Sequence, residues 1–172
     1  MKILIPGPPS IKDRIEELDL IENQYKNKVN PPELQNILDK NIAHLFNEIL
    51  LYHGYSDSLK DIKKLKKSIK PIIKFHKQHF NQLRPDALSK IINRPILSDD
   101  LDTAKSPSYP SGHTTQAYYI AHILSKKYPE IAEDFYKIAN MVAESRIDRG
   151  VHFPSDNIGG KILATKLASY DY

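Results

Sequence analysis

The spacing of the apolar residues constrains the fold of this chain more than any other feature of its sequence. Apolar side chains recur every three or four positions through most of its length, as they do along the buried face of a helix. Nowhere do they alternate with polar residues in the way that predicts a half-buried strand. The sequence therefore predicts an all-α fold, a compact bundle of five to seven helices.

Prolines, glycines and capping residues divide this pattern into segments. Helices are predicted over residues 11–21, 31–53, 58–84, 114–127, 130–149 and 154–168. The third should kink at Pro71, and the last contains Gly159 and Gly160, where close approach by a neighbouring helix would explain the missing side chains. Residues 86–110 hold several prolines and a polar run, which favours loops with at most a short helical turn and the rim of a site.

The chain has the length and composition of one ordinary globular domain. Its 172 residues are 40% hydrophobic and 27% charged, which predicts a single domain over 1–172, with an amino-terminal arm and short helix in 1–30. The absence of cysteine excludes disulfides and cysteine-based metal sites. The longest apolar runs are too short for a membrane-spanning helix or a secretory signal, so we expect a soluble, cytoplasmic protein.

A run of lysines accompanies the third predicted helix. Seven of them fall between residues 60 and 74 and alternate with the apolar stripe, which is typical of a solvated helix face. The net charge of +4 favours an anionic partner only weakly. Because the run lacks interleaved aromatic residues, a nucleic-acid partner is not expected. Peripheral contact with an anionic lipid surface and assembly into a homo-oligomer stay open.

Three separated clusters contain the residue types that bind an anion, and the first extends from Lys77 to Pro85. Seven positions separate Lys77 from Arg84, about two turns of helix, so both cations would leave the same face if the helix persists that far. Two cations on one face near a helix end can hold a dianion. Taken alone, the pair is more typical of two surface cations.

The second cluster is the run YPSGHT, which begins at Tyr109. Ser111 and Gly112 stand where a helix begins, so a hydroxyl and backbone N–H groups would face an anion at the positive end of the helix dipole. Gly112 would let that anion come close, and His113 can donate or accept a proton near neutral pH. Taken alone, the run is typical of an N-cap followed by an ordinary histidine.

The third cluster runs from Ser145 to Asp156. His152 precedes a predicted helix and Asp156 lies in its first turn, so the carboxylate can fold back to an imidazole nitrogen, fix its tautomer and raise its nucleophilicity. Arg146 adds a bidentate clamp for oxygen atoms. Taken alone, the cluster is typical of a helix corner tied by a histidine–aspartate hydrogen bond.

Together the three clusters are far more specific than any one of them. In order and in every fixed position they match the patterns K-x6-RP, PSGH and SR-x5-H-x3-D. The chain therefore resembles the type 2 phosphatidic acid phosphatase (PAP2) superfamily, which includes bacterial class A acid phosphatases, lipid phosphate phosphatases and vanadium haloperoxidases. The resemblance covers the chain from Lys77 onward. It is greatest to the soluble acid phosphatases, because the membrane members have spanning helices that this sequence lacks.

The resemblance implies a metal-independent phosphatase that hydrolyses phosphate monoesters through a phosphohistidine intermediate. His152 would be the nucleophile, oriented by Asp156, and His113 would be the general acid that protonates the leaving oxygen. The phosphoryl oxygens would be held by the remaining motif residues, Lys77, Arg84, Ser111, Gly112 and Arg146. No metal or other cofactor is expected, because three cations and a helix N-terminus already supply positive charge. The expected partner is a small-molecule phosphate ester.

Three other interpretations stay open. The same site could act on a lipid phosphate or pyrophosphate at a membrane surface, which the lysine-rich helix permits. A vanadate-dependent haloperoxidase would use the same anion pocket, but those enzymes are much longer and carry further pocket residues that this sequence does not reveal. A non-enzymatic helical adaptor is disfavoured, because binding alone does not need His152 with Asp156 four residues later.

Overall fold

The computed structural model describes residues 4–170, which form nine α-helices and no strand. In chain order the helices are α1 (Ile11–Asn27), α2 (Pro32–Lys40), α3 (Ile42–Tyr52), α4 (Leu59–Ser68), α5 (Lys70–Phe80), α6 (Pro85–Ile91), α7 (Gly112–Lys127), α8 (Ala132–Asp148) and α9 (Pro154–Tyr170). Single 3₁₀ turns lie at Asp102–Ala104 and Pro129–Ile131. The prediction of an all-α fold is confirmed, whereas the predicted number of helices is too low.

Helix α7 lies at the centre of the fold. It packs most extensively against α8 and α9, and it also contacts α3, α4 and α5. Its residues Ala117 and Ile120 are fully buried, in one apolar core with Phe46 of α3 and Phe135 of α8. This packing fixes the position of the amino-terminal end of α7, where the PSGH run lies.

Close packing between α9 and the start of α7 explains the paired glycines of α9. A Cβ atom on Gly160 would lie 2.9 Å from the carbonyl oxygen of Ser111 and 3.1 Å from Cβ of Thr114. A Cβ atom on Gly159 would overlap the ring of Tyr109. The predicted close approach is confirmed, and it brings the first turn of α9 against the first turn of α7.

Two segments that the sequence predicts as continuous helices are each divided. Residues 31–53 separate into α2 and α3 at Asn41, whose φ of −116° and ψ of 30° depart from helical values. Residues 58–84 separate at Ile69, so Pro71 lies in the first turn of α5, where its missing N–H breaks no hydrogen bond. Helix α5 then ends at Phe80, and the next residue, Asn81, is in the left-handed conformation with φ of 45°.

The remaining boundaries differ from prediction by a few residues, except in 86–110. That region contains α6, a helix of about two turns, where at most one short turn was expected. Its Leu88 is buried against α1, and this tertiary contact stabilises a helix too short to be stable alone. Helix α1 extends six residues past its predicted end, to Asn27, whereas α7 and α9 begin and end close to the predicted positions.

A second, smaller apolar cluster packs α1 against α6, the end of α8 and the segment before α9. Leu18 and Ile21 of α1 pack there with Leu88, Ile147 and Phe153. The predicted arm therefore includes a helix that is part of the packed structure. Its first three residues lie outside the described part of the chain, and the single domain over 1–172 stays a prediction.

Candidate active site

One cavity of about 420 Å³ collects residues from all three sequence clusters, and its volume is typical of a small-molecule site. Five of the eight predicted site residues line it, namely Lys77, Arg84, Gly112, His113 and His152. The other three, Ser111, Arg146 and Asp156, are fully buried behind this lining. Within residues 4–170, no group of three or more histidine, aspartate or glutamate side chains is arranged to hold a metal ion.

The imidazole of His152 is held at one nitrogen. Its Nδ1 lies 2.9 Å from Oδ2 of Asp156, in the first turn of α9. That carboxylate also accepts hydrogen bonds from the Phe153 N–H at 3.0 Å and from the Ser108 hydroxyl, and Arg14 lies 3.5 Å from its other oxygen. Because an ionised carboxylate only accepts, Nδ1 carries the proton and Nε2 keeps its lone pair.

Burial and neighbouring cations keep His152 uncharged. Burial lowers its pKa well below the usual value, and the charges of Arg84 and Lys77 lower it further. Nε2 of His152 lies 3.3 Å from Nη1 of Arg84, so the nitrogen with the lone pair is next to a guanidinium. Burial also raises the pKa of Asp156, and the charge of Arg14 opposes that rise. The result is a neutral, oriented imidazole beside a fixed cation.

Lys77 and Arg84 donate hydrogen bonds to main-chain carbonyls of the segment before the PSGH run. Nζ of Lys77 lies 2.5 Å from the carbonyl oxygen of Pro107 and 3.2 Å from that of Ser108. Nε of Arg84 donates to the carbonyl of Ser106 at 2.8 Å. Neither cation has a carboxylate within ion-pair distance among residues 4–170. Both are therefore positioned without being neutralised.

The helix does not persist from Lys77 to Arg84, as a shared helix face would require, although the two cations do converge on one cavity. Helix α5 ends at Phe80, and Arg84 is the residue that precedes α6. Burial and the charge of Arg84 lower the pKa of Lys77 to about 7, and burial and the charge of Arg146 lower that of Arg84 to about 10. Clustered cations with lowered pKa values indicate a site for an anion that would compensate them.

Asp39, at the end of α2, connects Arg146 to His113. Its Oδ1 accepts a hydrogen bond from Nη1 of Arg146 at 2.6 Å and one from the Thr103 hydroxyl at 2.7 Å. Nε2 of His113 lies 3.1 Å from the same oxygen and 2.9 Å from the carbonyl oxygen of Asp39. The second histidine of the site is therefore held by one residue through both its main chain and its side chain.

These contacts determine the protonation of Asp39 and His113. Burial raises the pKa of Asp39, but the hydrogen bonds from His113 and Thr103 and the charge of Arg146 bring it well below its usual range. Burial and the charge of Arg146 lower the pKa of His113 to about 4, against the opposing hydrogen bond and charge of Asp39. His113 thus gains a proton more easily with Asp39 than it would without it.

Arg146 is completely buried, yet much of its hydrogen-bonding capacity is unused. Nη1 bonds to Asp39, while Nε and Nη2 have no acceptor among the described residues. Buried N–H groups in folded proteins almost always have partners, because an unpaired one costs about 1–3 kcal/mol. Two guanidinium nitrogens without an acceptor indicate a ligand with several acceptor oxygens, such as a phosphoryl group.

Ser111 acts as the N-cap of α7, as predicted. Its hydroxyl accepts from the Thr114 N–H at 3.4 Å and from the Thr114 hydroxyl at 2.9 Å, while its own N–H donates to the carbonyl of Asp156 at 3.0 Å. The hydroxyl is therefore engaged within the protein. The donors that remain for an anion are the first-turn N–H groups, those of Gly112 and His113.

Sequence reasoning missed three residues that hold the site, Asp39, Arg14 and Ser108. Asp39 and Arg14 lie 107 and 142 residues from Arg146 and Asp156, the residues they contact, and no spacing pattern connects positions so far apart. Ser108 lies two residues before the PSGH run, in the segment predicted as the rim of a site. That position was the one feature of the sequence that could have indicated its role.

Comparison with known proteins identifies the family. The family model described as the PAP2 superfamily matches residues 68–170, which include all three clusters. The acid phosphatase of Zymomonas mobilis subsp. mobilis is 34% identical over 91 residues, 52% of this chain and 33% of that protein. The non-specific acid phosphatase of Salmonella typhi is 27% identical over 170 residues, 92% of this chain and 58% of that protein. The chain thus spans between a third and three fifths of the length of these relatives.

A solved membrane enzyme has a similar fold. The first transmembrane PAP2-type phosphatidylglycerolphosphate phosphatase, from Bacillus subtilis, superposes with a TM-score of 0.56 and 19% identity, over 93% of this chain and 86% of that one. In the part of our chain that the structure describes, no helix combines the length and the apolar character needed to cross a membrane. The family match covers more than half of the chain and the fold agrees with it, so the chain belongs to the PAP2 superfamily.

Proposed function

We propose that the protein is a metal-independent phosphatase that hydrolyses phosphate monoesters through a phosphohistidine formed on His152. The observation that carries this proposal is the contact of 2.9 Å between His152 and Asp156, in a buried pair among cations. A site that only bound an anion would gain from a protonated imidazole, whereas a nucleophile must be neutral. The acid phosphatases among the relatives support the same reaction.

The first step transfers the phosphoryl group to the enzyme. The lone pair on Nε2 of His152 attacks phosphorus, the bond from phosphorus to the ester oxygen breaks, and His113 gives its proton to the departing oxygen, which leaves as an alcohol. Arg84, whose Nη1 lies 3.3 Å from Nε2, would hold one phosphoryl oxygen during the attack. The other oxygens would be held by Lys77, by the unpaired donors of Arg146 and by the N–H of Gly112.

The second step releases phosphate. His113, now neutral, removes a proton from a water molecule, whose oxygen attacks the phosphorus of the phosphohistidine. The bond from phosphorus to nitrogen breaks, its electron pair returns to Nε2 of His152, and inorganic phosphate leaves. The proton that His113 takes from water replaces the one it gave to the leaving group, so the cycle ends with the enzyme in its initial state.

Asp39 serves as a positioning residue in this mechanism, because it contacts His113 and does not contact the reacting atoms. His113 must be protonated to act first as an acid, and its pKa of about 4 in the free protein favours that state only at acid pH. The hydrogen bond and charge of Asp39 raise this pKa, and a bound phosphate dianion would raise it further. The proposal therefore includes highest activity on the acid side of neutrality.

Trapping of the phosphoenzyme tests the proposal. Protein mixed with ³²P-labelled p-nitrophenyl phosphate and quenched rapidly in alkaline denaturant should retain label that is stable in base and lost in acid. His152→Ala should retain none and lose turnover by a factor on the order of 10⁴ or more. His79→Ala removes an exposed histidine outside the cavity and serves as the matched control. Turnover or label at the control level in His152→Ala would overturn the mechanism.

A further inference from the structure

Three lysines outside the sequence motifs line the same cavity as His113 and His152, namely Lys40, Lys66 and Lys70. They come from the end of α2, from α4 and from the start of α5, so three helices contribute lysines to one cavity. Two of them belong to the lysine run that the sequence predicts as a solvated face. That interpretation is therefore incomplete, because Lys66 is half-buried and both of these lysines contribute to the cavity wall.

Positive charge in this cavity exceeds what one phosphate group would match. Asp39 is the one carboxylate among the described lining residues, and it is already bound to Arg146 and His113. A bound phosphoryl group would neutralise Lys77 and Arg84. None of the three further lysines has a carboxylate within ion-pair distance in residues 4–170. They would still lack a counter-charge when a simple monoester is bound.

These lysines share one cavity with His113, which would protonate the leaving group in the proposed mechanism. In an in-line displacement the leaving group departs opposite the attacking His152, on the side where His113 donates its proton. Lys40 follows Asp39 in the chain, and Asp39 is in direct contact with His113. Asp39 also acts electrostatically on Lys66, whose pKa is lowered by burial and by the charge of Lys70. Lys40, by its place in the chain, and Lys66, by this interaction, are therefore both near the residue that holds His113.

We propose that Lys40, Lys66 and Lys70 form a second anion subsite, so that the preferred substrates are phosphate esters whose leaving group carries a second phosphate. This inference rests on the proposed phosphatase function and concerns its substrate class. A neutral leaving group would leave three ammonium groups without a partner, whereas a second phosphate would accept charge-assisted hydrogen bonds from them. A cavity of about 420 Å³ has room for more than one phosphate group.

Two soluble substrates that differ only in the second phosphate test the proposal: propane-1,3-diol bisphosphate and 3-hydroxypropyl phosphate. Phosphate release is measured at low ionic strength, because salt screens charges at a cavity mouth. We expect kcat/KM for the bisphosphate to be about tenfold higher or more, beyond the factor of two that follows from having two equivalent phosphates. Added salt should reduce this preference.

Paired variants assign the preference to the subsite. Lys66→Gln combined with Lys70→Gln should reduce the ratio of kcat/KM for the bisphosphate to kcat/KM for the monophosphate to near two. Any loss of activity common to both substrates cancels in this ratio. Lys60→Gln combined with Lys67→Gln makes the same change of charge on exposed positions of α4 outside the cavity, and it should leave the ratio unchanged. Lys40→Gln, on a different helix, should also reduce the ratio. Equal reduction in the control would overturn the subsite in favour of long-range attraction.

A lipid pair determines whether the second anion belongs to a free molecule or to a headgroup. Phosphatidylinositol 4-phosphate and phosphatidic acid are compared in the same detergent micelles, since a phosphodiester is present in the leaving group of the first alone. A preference in either pair supports the subsite and identifies its source. If neither pair shows a preference, the subsite is overturned and the phosphatase function stands. Failure to hydrolyse any of the substrates, including p-nitrophenyl phosphate, would instead overturn the proposed function.

Discussion

Oδ1 of Asp39 accepts a hydrogen bond from Nη1 of Arg146 at 2.6 Å, and both side chains are almost completely buried. The same oxygen lies 3.1 Å from Nε2 of His113. A carboxylate in this position has two opposed effects. It raises the pKa of His113, which favours the protonated acid, and it offsets part of the charge with which Arg146 would hold a phosphoryl oxygen. In the proposed mechanism Asp39 would thus set a balance between protonation of the leaving group and phosphate binding.

Asp39→Asn should slow the hydrolysis of esters with poor leaving groups. Loss of the carboxylate charge lowers the pKa of His113 below its present value of about 4, so a smaller fraction is protonated at any given pH. We expect kcat/KM for an alkyl phosphate to fall about tenfold or more, with a much smaller loss for p-nitrophenyl phosphate, whose leaving group needs little protonation. The decline of alkyl phosphate activity with rising pH should also begin at lower pH.

Thr103→Val provides the control for this prediction. It removes the hydrogen bond of 2.7 Å to Asp39 while the carboxylate keeps its charge, so the pH profile should shift much less. Profiles of kcat/KM against pH for both substrates measure the effect. Equal losses for the alkyl and p-nitrophenyl esters in Asp39→Asn would contradict a role for Asp39 through His113.

Arg146→Met should reduce both catalysis and stability, for separable reasons. Removal of a charge-assisted contact to the transition state should lower kcat/KM by about 10²-fold to 10³-fold, equivalent to roughly 3–4 kcal/mol. The variant also leaves the buried carboxylate of Asp39 without its cation, which should lower the free energy of unfolding by about 3 kcal/mol. Adding Asp39→Asn should restore much of the stability and none of the activity. Denaturant unfolding and kcat/KM measured on all three variants would show whether the two losses separate in this way.

The activity should depend on pH through Lys77. Its pKa of about 7 means that the ammonium is charged below that pH and loses its proton above it, so kcat/KM for p-nitrophenyl phosphate should fall as pH rises through about 7. Lys77→Arg keeps its charge at higher pH, so the fall should move to higher pH even if the maximum is lower. Lys67→Arg, at an exposed position, should leave the profile in place. An unmoved profile in Lys77→Arg would assign the fall to another group.

Arg14 links helix α1 to the proposed catalytic pair. Its guanidinium donates to the side chain of Gln82 at 2.8 Å and to the carbonyl of Leu83 at 3.1 Å, lies 3.5 Å from Asp156, and is stacked 4.2 Å from the ring centroid of Phe153. Arg14→Met should keep part of the packing and lose the charge. We expect about 2 kcal/mol less stability and a kcat reduced up to about tenfold. KM should change little, because Arg14 does not reach the substrate, and a change in KM alone would contradict this positioning role.

The positions of the motif residues relative to the helices could be predicted from the sequence, because each cluster adjoins a helix boundary. Capping residues and prolines indicate where such boundaries lie. Ser111 caps α7 and Pro154 begins α9, both as predicted, and the distance from His152 to Asp156 follows from that one boundary. The break at Asn41 could not be predicted. Leu38 and Ile42 are both buried at helical spacing on either side of it, so the apolar pattern continues where the backbone does not.

Asp39 and Arg14 could not be predicted for a related reason. Each lies on an amphipathic helix of ordinary sequence, in the part of the chain before the motifs, and reaches the site through tertiary packing alone. Arg14 is only 2% exposed, whereas an arginine on a surface helix is expected to be exposed to solvent. A single sequence contains the motif residues proposed to touch the substrate, but it does not show which distant residues hold them in place.

Vanadate distinguishes the proposed phosphatase from a haloperoxidase with the same anion site. It can take the trigonal bipyramidal geometry that phosphorus has during displacement, so a site built around His152, Lys77 and Arg84 should bind it about 10²-fold more tightly than phosphate. We expect competitive inhibition of p-nitrophenyl phosphate hydrolysis, and weaker binding to His152→Ala because Nε2 can no longer occupy an apical position. A haloperoxidase would instead use the bound vanadate, with peroxide and bromide, to brominate an indicator dye. If bromination exceeds that of free vanadate and is lost in His152→Ala, the protein is a haloperoxidase and the proposed hydrolytic function is wrong. The assignment of the anion site would stand.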